Sequence, residues 1–95
     1  MKIKVGTQEL EAKINNRVIY NIEEDFGEPI FKIMAKAESL ELTMQQTGKI
    51  IWHTVKDEIT WDSFIDEMQL NQYEPANIVV GQELAKAFDT GSKKK

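Results

Sequence analysis

Apolar and charged residues alternate at the start of the chain, which predicts a β-hairpin over residues 3–14. The segment "KIKV" alternates, "GTQ" is a turn signal, and "ELEAKI" alternates again. In the second strand this places Leu10, Ala12 and Ile14 on one face. Because an isolated two-stranded hairpin is marginal in water, we expect it to pack on the rest of the chain.

Helical spacing then replaces the alternation, and it predicts two helices in succession. Asn15 or Asn16 can cap the first helix. Gly27 suits the left-handed position just past a helix end, and Pro29 suits the first turn of a second helix over residues 29–37. The apolar stripe of the first helix consists of Val18, Ile19, Ile22 and Phe26.

The segment "ELTMQQTGKIIWHTVKDE" predicts a third helix. Thr43 and Gln46 have the spacing of a capping box, and Gly48 would permit a close helix crossing. In the fourth helix, Thr60 is the predicted cap, and Ile59 and Phe64 have the spacing of a hydrophobic staple. The apolar stripe of that helix is Trp61, Phe64, Ile65 and Met68.

The segment "QLNQYEP" is predicted as a loop, after which Pro75 opens a fifth helix that ends at Gly91. The apolar residues of this helix are Ile78, Val79, Leu84, Ala85 and Phe88. The predicted fold is therefore mainly α, a small bundle of about five helices preceded by a short N-terminal β-hairpin. It forms a single domain over residues 1–90, and residues 91–95 form a flexible basic tail.

Composition narrows the classes of function. The 95 residues carry a net charge of −4 and contain no cysteine, which excludes disulfides and thiolate metal sites. The negative charge argues against a protein whose main role is to hold nucleic acid, so we expect no nucleic-acid partner. No apolar run approaches the ~18–20 residues of a membrane span, and the N-terminus lacks the apolar core of a signal peptide. We therefore expect a cytosolic protein with no membrane partner.

The residues that could carry chemistry do not converge. His53 is the only histidine, and we interpret it as structural or surface-exposed, because metal and catalytic sites need several convergent groups. Glu23, Glu24 and Asp25 point in different directions on a helix, so they form either a solvated face or a patch for a basic partner. No nucleophile elbow and no phosphate-binding loop occurs. We expect no enzyme activity, no catalytic residue, no cofactor and no metal.

Large aromatic and methionine side chains are enriched where proteins meet, but they also fill the cores of small domains. Both interpretations remain open here, with Tyr73 the most exposed because it lies in the predicted loop. The predicted partner-binding residues are Met44, Ile51, Trp52, Trp61, Met68 and Tyr73.

The order of "RVIYNIEEDFGEPIFKIM", "LTMQQTGKIIWHTV", "ITWDSFIDEM" and "ELAKAFDTGSKKK" resembles the tail assembly chaperones of long-tailed bacteriophages and of prophages in Gram-positive bacteria. The family pattern combines an acidic–aromatic–Gly helix end, an apolar–Trp pair and an Ala-rich last helix. Residues 24–27, 51–52 and 85–88 supply these elements. The match spans most of the chain.

The resemblance implies a protein that binds and solubilises the tape measure protein in the bacterial host cytoplasm. Tail tube subunits then displace it, and it is absent from the mature virion. It also implies self-association into a homo-oligomer and a longer frameshifted form, for which an adenine run encoding residues 93–95 would be a slippery site.

Two alternatives remain. The first is a small acidic protein-binding adaptor or regulator of prophage or host origin. The second is a DNA-binding regulator that uses "QQTGKIIWHTVK" as its recognition helix, against which the negative charge counts.

Overall fold

The computed structural model describes residues 1–88, and it confirms a mainly α fold behind an N-terminal hairpin. The hairpin consists of β1 (Lys2–Val5) and β2 (Gln8–Glu11). The helices that follow are α1 (Asn16–Phe26), α2 (Ile30–Glu38), α3 (Met44–Val55), α4 (Trp61–Glu67), a short 3-10 turn (Leu70–Gln72) and α5 (Tyr73–Phe88). The predicted helix end at Gly91 and the predicted tail lie outside the described residues.

The hairpin packs on the helices, as expected. Its strands are antiparallel, with Ile3 opposite Leu10, and both of these side chains are buried. The turn is fixed from outside, because the Gln72 side-chain amide accepts from Gly6 N–H at 2.8 Å and donates to Gly6 C=O at 2.9 Å. Gly6 has a φ of +64°, and a Cβ there would lie 2.9 Å from the Glu67 carbonyl oxygen. The turn therefore excludes other residues both by its backbone conformation and by its packing.

The joint between α1 and α2 forms as its capping residues predict. Asn15 is the cap of α1, since its side chain accepts from Val18 N–H at 3.0 Å. Gly27 is left-handed, and its N–H donates to Glu23 C=O at 2.8 Å. The Glu23 carboxylate then accepts from Ile30 N–H at 2.8 Å, so one side chain links the end of α1 to the start of α2. Pro29 lies immediately before α2 and not inside its first turn.

The predicted starts of α3 and α4 are confirmed. Thr43 and Gln46 form a reciprocal capping box at the start of α3. The Thr60 hydroxyl accepts from Ser63 N–H at 3.2 Å at the start of α4. Ile59 and Phe64, which have the spacing of a hydrophobic staple, are both buried.

The predicted loop over residues 69–75 is wrong. The chain there forms the 3-10 turn, and α5 begins at Tyr73, two residues before Pro75. Pro75 fits this position because the first turn of a helix does not use its N–H groups internally. At the start of the turn, the Gln72 side chain accepts from Gln69 N–H at 3.0 Å. This local cap stabilises the 3-10 turn even though the segment is polar. Tyr73 is consequently a helical residue that packs partly buried against the core.

The core lies around α3, which packs against α1 on one side and α5 on the other. Three residues predicted on apolar stripes are exposed instead: Ile65 of α4 (50% exposed), Ile78 of α5 (52% exposed) and Ala85 of α5. The largest fully buried side chains come from nearly every element, and they are Phe64, Ile22, Ile33, Ile51, Val5, Val55 and Val80.

Candidate functional site

An apolar groove runs between α2 and α5 and has a volume of about 120 Å³. Ile50 of α3 contributes to its apolar lining, and Glu38 and Asn77 are its polar lining residues. The walls, which together with Ile50 we call the α2–α5 groove, consist of Ile30, Ile33, Met34 and Ala37 from α2 and Val80, Gly81, Leu84 and Ala85 from α5.

Helical periodicity explains how two separate segments build this groove. On each helix the lining residues recur at i, i+3, i+4 and i+7, which places them on one face. Gly81 lies in the wall of α5, and a Cβ added there would meet no atom within 4 Å. A glycine in the interior of a helix costs roughly 0.5–1 kcal/mol relative to alanine. Gly81 therefore keeps the groove wide but lowers the stability of α5. No neighbouring atom would prevent a residue with a Cβ at this position.

Exposed apolar side chains extend the groove at its edges. Phe31, near the start of α2, is 64% exposed, and its ring centroid lies 4.9 Å from that of Phe88 at the end of α5. This pair connects α2 to α5 at one end. Ile78, one turn before Gly81 on α5, is 52% exposed. A contiguous apolar surface on a small protein is the usual sign of an interaction site.

A second concentration of large side chains lies on α3, α4 and α5, and we call Trp52, Trp61, Phe64 and Tyr73 the aromatic cluster. Trp61 stacks on Phe64 at 5.5 Å between ring centroids, and Trp52 meets Trp61 edge-on at 5.6 Å. Tyr73 reaches Phe64 edge-on at 6.5 Å. Gly48 makes room for this arrangement, because a Cβ there would lie 3.2 Å from the Tyr73 ring. Gly48 is thus tightly packed against a side chain of α5, while the close helix crossing predicted there stays a prediction.

The Trp52 indole and the Lys49 and Asp25 side chains beside the aromatic cluster are paired within the fold. The Trp52 indole N–H donates to Ile59 C=O at 2.9 Å. The Lys49 ammonium lies 4.6 Å from the centroid of the Trp61 ring and 3.5 Å from the Asp25 carboxylate. The Asp25 carboxylate also contacts His53 Nε2 at 2.9 Å. Lys49 thus covers the ring of Trp61, and the Trp52 indole N–H is already hydrogen-bonded within the fold. Few groups of the cluster are therefore free to contact a partner.

His53 and Asp25 perturb each other's protonation. Burial lowers the pKa of the His53 imidazole, and the neighbouring Asp25 carboxylate opposes that change only in part. Burial alone would raise the pKa of Asp25, but the His53 hydrogen bond and the Lys49 charge together hold that pKa below its usual value. Neutral His53 therefore donates from Nε2 to Asp25, which fits the interpretation of a structural histidine. Within residues 1–88, no three His, Asp or Glu side chains are placed to hold a metal ion.

The six predicted partner-binding residues do not form one surface. Ile51 is fully buried and Met68 is 7% exposed, so both are core residues and neither presents a surface to a partner in this fold. Trp52, Trp61 and Tyr73 lie together in the aromatic cluster, partly buried against the core. Met44 is 51% exposed at the start of α3 and does not line the α2–α5 groove. The structure therefore moves the candidate site from the aromatic residues to the aliphatic residues of α2 and α5.

Helical spacing assigned the groove residues of the second helix to the core, and these are Ile30, Ile33, Met34 and Ala37. In the fifth helix it included Leu84 and Ala85 but neither Val80 nor Gly81. The only sequence signal that could have separated them was Gly81, a glycine within an otherwise helical apolar pattern. The pairing of α2 with α5 is a long-range feature that no local pattern carries.

Comparisons with protein-family models, curated proteins and solved structures return no match to this chain. The resemblance to tail assembly chaperones therefore stays a prediction from the order of the sequence motifs. The helices of residues 1–88 are also too short or too polar to cross a bilayer.

Proposed function

We propose that this chain is a helix-binding protein, and that it acts as a tail assembly chaperone for the tape measure protein of its phage or prophage. The α2–α5 groove is the observation that carries the proposal, since it is an apolar cleft between two helices on the surface of a small protein. The client comes from the resemblance in the sequence, because tape measure proteins are long and helical. No catalytic step is required of this chain.

The shape of the groove suits an amphipathic helix. Such a helix binds a groove through apolar residues spaced at i, i+3, i+4 and i+7, which matches the spacing on both walls. Three small lining residues, Ala37, Gly81 and Ala85, allow a ridge of larger side chains to enter. The exposed rings of Phe31 and Phe88 add apolar contact at one end.

A modest affinity for each copy suits a chaperone that must leave its client. The groove is short, so many copies would be needed to cover a long rod, and each would dissociate readily as tail tube subunits arrive. On this proposal the protein works in the bacterial host cytoplasm, self-associates along the client and is absent from the mature virion. A frameshifted longer form would share the same groove, because α2 and α5 precede residues 93–95.

Co-expression with the tape measure protein encoded in the same gene cluster tests the proposal. Gly81→Leu adds a bulky side chain to the wall of the groove at a position where a Cβ would meet nothing within 4 Å. Ala87→Leu adds the same side chain to an exposed position of α5 that does not line the groove, so it is the matched control. We expect the wild type and the control to keep the tape measure protein soluble and to co-elute with it in several copies.

Gly81→Leu should remain folded and lose the complex. If the wild type leaves the tape measure protein insoluble and unbound, the chaperone function is refuted. An adaptor function would then be favoured by a wild-type protein that binds other amphipathic helices through the same groove. If Gly81→Leu retains the tape measure complex, the groove is not the binding site.

A further inference from the structure

Leu40, in the connection between α2 and α3, has an unusual backbone conformation. Its φ is +61°, and it is the only residue other than glycine with a positive φ within residues 1–88. Its N–H donates to Ala37 C=O at 3.2 Å, and the next N–H, that of Glu41, donates to Lys36 C=O at 2.8 Å. These two hydrogen bonds form a Schellman motif, in which the left-handed position is usually occupied by glycine.

Within residues 1–88, burial does not offset the cost of leucine at this position. A side chain in the left-handed conformation brings its Cβ too close to the following carbonyl oxygen. Leu40 is 89% exposed, the highest value among the exposed large hydrophobic side chains, so it gains almost nothing from burial. The corresponding position at the end of α1 is Gly27, with a φ of +69°. The contrast indicates that Leu40 serves a contact outside its own fold.

Leu40 is close along the chain to one end of the α2–α5 groove, although it does not line the groove itself. It follows Glu38, a lining residue of the groove, by two positions. Since Phe31 and Phe88 meet near the start of α2, Leu40 lies beyond the opposite end of that helix. The groove is thereby flanked by exposed apolar side chains at both ends of α2.

The surroundings of Leu40 are acidic. Glu38 and Glu41 flank it, and no basic residue occurs between Lys36 and Lys49. A partner that covers Leu40 must therefore place either a positive charge or no charge beside it. A second copy of this chain is a poor match, since its own groove end carries the same two carboxylates and its net charge is −4.

We propose that Leu40 is an anchor for the bound helix, which packs its apolar stripe over this side chain and places a Lys or Arg beside Glu38 and Glu41. This inference rests on the proposed function and specifies the partner as a basic amphipathic helix. The backbone cost at Leu40 is retained because glycine there would remove the anchor.

The test measures stability and binding in the same variants. The probe is a set of overlapping synthetic peptides of about 20 residues, each ~30 Å long as a helix, that tile the tape measure protein. Leu40→Gly removes both the side chain and the backbone strain. Leu40→Asn replaces the apolar side chain with a polar one that tolerates the left-handed conformation. Leu70→Gly is the matched control, since Leu70 is 77% exposed but belongs to the 3-10 turn and not to the end of α2.

Leu40→Gly should raise the Tm by roughly 2–4 °C and weaken binding of the best peptide about tenfold. Leu40→Asn should weaken binding by a similar factor without lowering the Tm. Leu70→Gly should bind like the wild type. The affinity of the wild type should also fall as salt is added, and less so in the double variant Glu38→Gln/Glu41→Gln.

Wild-type affinity in the Leu40 variants would overturn the inference and leave the proposed function intact. A lower Tm for Leu40→Gly would also overturn it, because the argument requires strain at that residue. If the wild type binds none of the peptides, the proposed function fails, and the anchor role fails with it.

Discussion

The aromatic cluster and the α2–α5 groove are both rich in apolar side chains, yet they differ in what covers them. In the cluster, rings pack on rings, Lys49 lies over Trp61, and the Trp52 indole N–H reaches Ile59 C=O at 2.9 Å. In the groove, the space beside Gly81 is open, and Phe31 is 64% exposed. Within residues 1–88, the cluster is packed by the chain's own side chains, whereas the groove stays open.

The difference shows that residue type alone does not identify an interface. Tryptophan and tyrosine are enriched where proteins meet, but here Trp61 and Tyr73 stabilise the domain. The open surface is formed mainly by aliphatic and small residues. We therefore expect substitutions in the cluster to lower stability and substitutions in the groove to lower binding.

The largest expected effect is a difference in the free energy of unfolding between alanine substitutions at two phenylalanines. Phe64→Ala should lower the free energy of unfolding by about 3–5 kcal/mol, because Phe64 is fully buried between Trp61 and Tyr73. Phe31→Ala should cost less than about 1 kcal/mol, because most of that ring is exposed. Urea unfolding followed by circular dichroism measures both values. Similar losses in the two variants would contradict the distinction between the two regions.

The same substitution at two helical glycines should act in opposite directions. Gly48→Leu should destabilise the fold by about 1–3 kcal/mol, since even a Cβ at Gly48 lies 3.2 Å from the Tyr73 ring. Gly81→Leu should stabilise it by about 0.5–1 kcal/mol, because the helix gains a better helix former in open space. Thermal unfolding of the two variants gives the comparison. A destabilised Gly81→Leu would mean that the groove is closed in solution.

A smaller effect tests the hydrogen bond that anchors the cluster. Trp52→Phe keeps an aromatic ring but leaves Ile59 C=O without its 2.9 Å donor. We expect a loss of about 1 kcal/mol in the free energy of unfolding, with peptide binding unchanged. Chemical denaturation and fluorescence anisotropy report the two quantities. Weaker binding without a loss of stability would place the partner on the cluster instead of the groove.

The smallest effect concerns pH. Because the pKa of folded His53 lies below its usual value of 6.5, the unfolded chain takes up the proton first. The stabilising contribution of neutral His53 is therefore complete above pH 6.5 and is lost as the pH falls from there toward the folded pKa. Asp25, whose folded pKa lies below 3.8, adds its own loss at still lower pH.

His53 is the only histidine, so its substitution isolates the first of these losses. The Tm of the wild type should fall between pH 7.5 and pH 5.5, and His53→Gln should show a flatter dependence over the same range. An equal decrease in both proteins would show that His53 is not the titrating group.

The sequence predicts those parts of the fold that depend on neighbours along the chain. The cap at Asn15, the left-handed Gly27 and the capping box at Thr43 each rest on hydrogen bonds between residues a few positions apart. The segment around Tyr73 was misassigned because a local cap made by Gln72 turned a polar stretch into a 3-10 turn and a helix start.

The candidate site was far less predictable, for a physical reason. The apolar stripe that lines a groove has the same periodicity as one that fills a core, so Met34 and Leu84 could be placed on a face but not in the groove. Which helices face each other is decided by long-range packing around Ile50 and its neighbours. Leu40 carried no signal at all, since left-handed leucine occurs in a segment without glycine or asparagine.

NMR of the isotopically labelled protein, titrated with the best-binding tape measure peptide, tests the central claim most directly. Two glycine amides report on the two regions, Gly81 in the groove and Gly48 beside the cluster, and the indole N–H groups of the two tryptophans give a further probe of the cluster. The account predicts that the resonances of Gly81, Ile78 and Leu40 shift while those of Gly48 and both indoles stay in place. Shifts at Gly48 and the indoles, with Gly81 unchanged, would contradict it.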